Sequence, residues 1–336
     1  MDSPTFTSDP SPGWNRCLAA CLGALGIGAL LLFAVVIAVD PYDSGRFGLF
    51  GIDGVDDRNT QTATVSRARD PQFDSAVIGN STAQLLNPAD LSQATGLRFV
   101  QLYLTGGSAR EQLAVLDFFL RNHPRVGALV IVADPFWCGH ERVAPRPGEF
   151  PYWLYGSSSL AYMARLLSWP AIEHVSQRIS IGLGWRKRND PDGFFSYEDI
   201  WLPGTFRDTN RPRDPAPAAT AAGRDNFPDI ALLDDVVKRL PVSVSVVLVV
   251  PPTFNTTVAK PGTPAAAERE TCNRALQRTV AGRPYSNFIN YRIENALTRD
   301  LANFADHIHY RPIIASRMVK GIAESIRLGE AAKIDF

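Results

Sequence analysis

Three residues far apart in the chain have the types needed for acyl transfer. Residues 77–88 read VIGNSTAQLLNP, a short apolar run that ends in Gly79-Asn80-Ser81. Near the other end lies NFADHIHY, in which Asp306 and His309 are spaced D-x-x-H. A serine hydroxyl is a weak nucleophile. It needs a base to take its proton and a third group to fix the tautomer of that base. On a turn, the D-x-x-H spacing lets the carboxylate reach one imidazole nitrogen and leaves the other facing outward. Ser81, Asp306 and His309 are therefore the candidate catalytic residues, in the chain order Ser, Asp, His. Each also has a plainer reading. Serine is favoured at helix starts, so Ser81 alone reads as an N-cap. Asn80-Ser81-Thr82 also matches a glycosylation acceptor. Asp306 and His309 alone read as a turn and a cap, and His307 as a solvent-facing or capping residue.

The elements that must position these residues follow from periodicity. Short apolar runs predict strands at Ser75–Gly79, Arg98–Tyr103, Ala128–Ala133, Val242–Val250 and Asn287–Tyr291. Helices are expected at 109–122, 229–240, 264–280 and 312–328, with another after Ser81. In the first of these, Leu113, Leu116, Phe119 and Leu120 share one face. Strands alternating with helices give an α/β fold: a flavodoxin-like three-layer α/β/α domain with a five-stranded, mainly parallel sheet, over about residues 75–330. Sites in such sheets lie beyond the carboxyl ends of the strands. Gly79–Ser81, Thr105–Gly107, Asp134–Trp137 and Pro252–Asn255 all fall there. The stretch 139–226 interrupts the rhythm and reads as an insertion. It holds an apolar helical piece (Leu160–Ile181) and a segment from Arg211 to Arg224 expected to be flexible. Residues 40–74 are polar and glycine-rich and read as a membrane-proximal linker.

The N-terminus carries a different signal. From Cys17 to Val39 there is no charge and no proline. These are about 23 residues, ~35 Å as a helix, enough to cross a bilayer. Arg16 before the run and Asp40 and Asp43 after it place the N-terminal tail (1–16) in the cytoplasm and the rest outside. The run exceeds a normal signal-peptide core, although Val36-Ile37-Ala38 would tolerate cleavage. Leu18-Ala19-Ala20-Cys21 is not a lipobox, because the apolar stretch follows the cysteine instead of preceding it. The 34 Lys and Arg balance 34 Asp and Glu, so there is no electrostatic case for nucleic acid. Cys138 and Cys272 lie outside the anchor in a compartment that permits disulfides, where they could pair or remain free thiols.

Gly79-Asn80-Ser81 after the first strand, a glycine turn after the second, and Asp306-x-x-His309 before the last helix resemble the SGNH/GDSL hydrolase superfamily. The nearer likeness is to its membrane-anchored bacterial envelope branch, which includes proteins of the DltD and alginate O-acetylation types, and it spans roughly residues 70 to 328. The resemblance implies a serine esterase or O-acyltransferase on the periplasmic side of the inner membrane, acting on an envelope glycan or other acyl ester. It implies no cofactor and no metal, and a polytopic membrane acyltransferase as a partner. Ser81 would be the nucleophile, His309 the base and Asp306 its orienting partner. Backbone N–H groups of Ser81 and of Gly106 or Gly107 would form the oxyanion hole. The sequence departs from the pattern at Asp134, where an asparagine donor is usual, since an ionised carboxylate cannot donate. Asn255 is a candidate substitute. Asn80, Asp134, Trp137 and Asn255 are candidate pocket residues, although Asp134 equally suits a cap or bridge and aromatics such as Trp137 are more often core. A second reading, prompted by Asp134, is a non-catalytic assembly or glycan-binding protein of the same shape.

Overall fold

The computed structural model describes residues 12–140, 150–199, 205–208 and 226–329. The segment Arg211–Arg224 and most of the N-terminal tail lie outside them. The chain begins with the long apolar helix α1 (Pro12–Val39), followed by α2 (Thr60–Ala68). The alternating part then runs β1 (Ser75–Asn80), α3 (Pro88–Thr95), β2 (Phe99–Leu104), α4 (Ala109–Asn122) and β3 (Ala128–Val132). Among the described residues, the insertion holds the helices α5 (Tyr152–Tyr155), α6 (Ser159–Leu166) and α7 (Trp169–Gly182). The alternation resumes with α8 (Pro228–Arg239), β4 (Ser245–Val250), α9 (Pro264–Val280), β5 (Asn287–Asn290), α10 (Ala296–Arg299) and α11 (Pro312–Leu328).

The five strands form one parallel sheet in the order β2-β1-β3-β4-β5. This is the flavodoxin-like order, as the alternation predicted. Every residue of β1, β2, β3 and β4 is buried. That is why these strands read as continuous apolar runs and not as alternating ones. The pleat divides their side chains between two cores. Ile78, Ile131 and Leu248 join the core beneath α4, α8 and α9, and Val77, Val130 and Val247 join the core beneath α3 and α11. Helix caps follow the sequence closely. Ser108 and Glu111 form a reciprocal capping box that opens α4, and Gly96 and Gly329 close α3 and α11 in the left-handed conformation.

Two expectations change. The helix expected after Ser81 is a 3₁₀ turn of three residues, Ser81–Ala83, and α3 starts only at Pro88. Pro88 fixes the later start, with Asn87 capping it through a bond to the Ala89 N–H. The stretch read as a linker carries α2, which lies beside β2 and α4 and brings Val65 and Ala68 into the core. Its polar residues hid this, because Asn59 and the carboxylates around it serve as caps and ion pairs. The insertion packs against the edge of the sheet. The N–H of Gln101 on edge strand β2 donates to the Asp192 carbonyl at 2.7 Å, so residues from the insertion cover that edge. Cys138 and Cys272 form a disulfide, with 5.6 Å between their Cα atoms, joining the loop after β3 to α9.

Candidate active site

The site begins at the carboxyl end of β1. A side chain at Gly79 would place its Cβ 2.6 Å from the Ala83 Cβ and 3.0 Å from the Val132 Cβ. Glycine therefore lets the chain fold back sharply and leave Ser81 at the rim. Asn80 braces the turn. Its Oδ1 accepts from the Thr82 N–H at 3.0 Å and from the Thr82 hydroxyl at 2.8 Å. On β2, the buried Gln101 amide donates to the carbonyls of Ala83 and Leu86, at 2.7 and 3.1 Å. The peptide groups after Ser81 are thus held from two sides.

The base arrives on the loop after β5. An antiparallel bridge pairs Phe304 with Tyr310, and the Ala305 N–H donates to the His309 carbonyl at 2.8 Å, closing a tight loop. Inside it, Asp306 Oδ1 accepts from the N–H groups of Ile308 and His309, both at 2.8 Å. Asp306 Oδ2 lies 2.8 Å from His309 Nδ1. His309 Nε2 lies 2.9 Å from Ser81 Oγ. The three predicted residues are therefore brought into one hydrogen-bonded line. Burial pushes the Asp306 carboxyl up, but the hydrogen bond and charge of His309 and the two loop N–H donors outweigh it and hold it below its ordinary value. A carboxylate that stays ionised beside Nδ1–H leaves Nε2 free to act as base.

The structure separates the two glycines between which the expected oxyanion donor was left open. Register pairs Asn80 with Leu104, so Ser81 and the Thr105–Gly107 turn emerge side by side. The Gly107 N–H donates to the Leu104 carbonyl at 2.9 Å, which commits it elsewhere. Gly106 adopts φ +67°, a left-handed turn position that suits glycine. Among the described residues, neither the Ser81 N–H nor the Gly106 N–H has a hydrogen-bond acceptor, so these two are the donors available to an oxyanion. The 3₁₀ turn is too short to add a helix dipole of any size.

Asp134 does not stand bare in the pocket. It is buried, its Oδ1 accepts from the Phe136 N–H at 3.1 Å, and its Oδ2 accepts from Asn80 Nδ2. It thus caps the turn after β3 and holds the asparagine next to Ser81. Burial pushes this carboxyl up to about 7, against the pull of the Asn80 and Phe136 bonds and of Arg292 and Arg269. Trp137 is not a rim residue. It is buried in the core, where its Nε1–H donates to Gln112 Oε1 at 3.2 Å and the Gln112 amide donates to the Gly107 carbonyl at 3.1 Å. Asn255 sits in the 3₁₀ turn after β4, and no bond links its side chain to the catalytic residues. The neighbouring Phe254 N–H donates to the His307 carbonyl at 3.0 Å. His307 is not a loose surface residue either: its ring lies 3.2 Å from the Thr256 hydroxyl and 3.1 Å from Asp208.

Several positioning residues escaped the sequence reading. The Tyr310 hydroxyl donates to the Thr82 carbonyl at 2.5 Å. The Tyr197 ring stands edge-on to His309, with centroids 5.7 Å apart, and its hydroxyl donates to the Tyr310 carbonyl. Arg311 makes a two-pronged pair with Glu198, both contacts at 2.8 Å. Tyr197 and Glu198 lie in the insertion, where nothing marks them as neighbours of a residue more than a hundred positions away. Among the described residues, no group of three or more His, Cys, Asp or Glu side chains is placed to hold a metal ion. No protein family, curated protein or solved structure matches the chain.

Proposed function

We propose that the chain is a membrane-anchored serine esterase or O-acyltransferase of the SGNH type that works through an acyl-Ser81 intermediate. The carrying observation is the line from Ser81 Oγ through His309 to Asp306, with steps of 2.9 and 2.8 Å. In this reading His309 Nε2 takes the Ser81 proton as Oγ attacks an ester carbonyl carbon. The oxyanion is met by the N–H groups of Ser81 and Gly106. The Nδ1–H bond to Asp306 stabilises the imidazolium. Collapse breaks the bond to the leaving alkoxide, which receives the proton from His309. Water or an acceptor hydroxyl then loses its proton to His309 and attacks the acyl-serine. This releases an acid or a new ester and restores Ser81.

The helix Gly13–Val39 is long and apolar enough to cross a membrane. Its placement, with Arg16 before it and acidic residues after it, supports a single-pass anchor with the domain on the outer face of the inner membrane. An envelope glycan is the acceptor class that suits such a location, and a polytopic membrane acyltransferase would supply the acyl group. A non-catalytic reading draws on the committed Gly107 N–H, which leaves the hole with two backbone donors. Labelling the detergent-solubilised full chain with a fluorophosphonate, beside Ser81→Ala, separates the two. Labelling of the native chain alone supports the enzyme. Equal labelling of both, or of neither, would sink the nucleophile.

A further inference from the structure

The domain carries a second apolar surface, on the insertion helices, that is continuous with α1. The last turn of α1 is built into the domain: Val36 and Val39 are buried in the same core as Tyr162 and Leu166 of α6 and Ala171 and Val175 of α7. Arg178 of α7 locks the junction. It is fully buried, and its guanidinium donates to the carbonyls of Val39, Gly54 and Ile52 at 3.2, 2.7 and 2.5 Å, beside the Asp43 carboxylate at 3.1 Å. The Tyr162 hydroxyl bonds the Asp40 carboxylate just past the end of α1. The direction of α1 is therefore fixed relative to α6 and α7.

That junction sets the depth of the domain. With everything from Val36 onward packed against the domain, the exposed apolar part of α1 is about Cys17 to Val35. These are roughly 20 residues, ~30 Å, which is the thickness of a bilayer's hydrocarbon core. The membrane surface then falls where the domain meets the helix. Exposed large apolar side chains lie on the segments packed or bonded against this junction. Leu49, whose N–H donates to the Ala38 carbonyl, is 84% exposed, and Phe50 follows it. On α7 the face away from the buried Ala171, Val175 and Arg178 carries exposed Trp169 and Ile179, with Leu183 at the C-cap, among the polar Glu173 and Ser176. Trp169 and Trp185, at the two ends of this helix, are 77% and 79% exposed, and Arg186-Lys187-Arg188 follow directly. Scattered single apolar residues need no explanation, but a cluster bracketed by tryptophans and followed by cations has the composition of an interfacial helix.

We propose that α6, α7 and the 49–50 turn lie in the headgroup boundary of the same bilayer that α1 crosses, so that the domain is held against the membrane at a fixed tilt. The proposal rests on the anchor reading. The occupant is lipid, because the patch sits on helices packed against α1 and carries Lys187 and Arg188, beside an Arg186 paired with Asp56, as a basic run that anionic headgroups attract.

The test uses the full chain with Cys17→Ser and Cys21→Ser, which removes the two free thiols. Single cysteines for an environment-sensitive fluorophore are introduced by Trp169→Cys, Trp185→Cys, Leu30→Cys on α1, and Leu301→Cys beyond the opposite edge of the sheet. Each protein is reconstituted in vesicles of phosphatidylcholine and phosphatidylglycerol carrying nitroxide lipids. The expected result is loss of emission at 169 and 185 with shallow nitroxides, at 30 with deep ones, and at 301 with neither. If 30 is quenched while 169 and 185 remain as open to aqueous iodide as 301, the proposal is overturned and the anchor stands. If 30 is not quenched, the anchor reading fails and takes the proposal with it. If 169 and 185 are shielded from iodide and lipid alike, a second copy of the chain covers the face and the proposal is again overturned.

Discussion

His309 Nε2 lies 2.9 Å from Ser81 Oγ, and the next residue on each side, Tyr310 and Thr82, is joined by a hydrogen bond of 2.5 Å. Both links span the same 228 residues of chain. In the proposed mechanism one carries a proton transfer; the other is a buried bond from a hydroxyl that burial keeps protonated near neutrality. The adjacent pair explains how a base on one loop keeps its distance to a nucleophile on another. Movement of the β5 loop away from the β1 turn must break the Tyr310 bond as well as the His309 bond.

Asp306→Asn should separate orientation from position. The asparagine oxygen can still accept from the Ile308 and His309 N–H groups, so the loop stays closed. Its NH₂ then faces His309 Nδ1 and forces the wrong tautomer, with the proton on Nε2. Turnover of an activated ester should fall by about 10³–10⁴ with little change in KM. A variant that turns over normally would show that Asp306 does not orient the base.

Tyr310→Phe tests the adjacent link. The substitution leaves the buried Thr82 carbonyl without its O–H donor while keeping the backbone carbonyl of residue 310 for Tyr197. The expected cost is about 1–3 kcal/mol in urea unfolding. The fluorophosphonate labelling rate should also fall, though by less than in Asp306→Asn. Loss of stability with an unchanged labelling rate would make the bond structural only.

How much of this was legible depended on the range of the signal. Strands of β-branched residues bounded by Pro and Gly, and helices with Pro at their starts, announce themselves locally. The 109–122, 264–280 and 312–328 boundaries therefore came out as expected. The triad was legible because Ser81 follows a strand and D-x-x-H is a short local pattern. The choice between cap and pocket for Asp134 stayed open in the sequence because its partner, Asn80, lies 54 residues away. For Trp137 the commoner core role of aromatics holds, its Nε1–H satisfied inside by Gln112. The roles of Tyr197 and Glu198 depend on an insertion folding back over β2 and the histidine loop, which no periodicity encodes.

The state of Asp134 should be visible in stability against pH. Its folded pKa, about 7, lies above the ~3.9 of an unfolded aspartate, so the folded chain holds the proton more tightly. Folded stability from this group is greatest below about pH 4, declines as pH rises through the interval to about 7, and is flat above. Asp134→Asn does not titrate. The difference in unfolding midpoint between variant and native chain should therefore move in favour of the variant between about pH 4 and 7. Parallel curves would show that the carboxyl is not perturbed.

The Cys138–Cys272 disulfide closes a loop whose ends are 134 residues apart, and it ties the turn capped by Asp134 to α9. Cross-linking so long a loop restricts the unfolded chain, and removing such a bridge typically costs about 2–5 kcal/mol. Cys138→Ser with Cys272→Ser should lower the urea midpoint accordingly, and dithiothreitol should reproduce the loss in the native chain. Because the bridged turn holds Asp134, and Asp134 holds Asn80 beside the nucleophile, fluorophosphonate labelling of Ser81 should slow as well. Cys17→Ser with Cys21→Ser should change neither, since those thiols lie exposed on α1. An unfolding midpoint insensitive to dithiothreitol would show that the bridge contributes nothing to holding the turn.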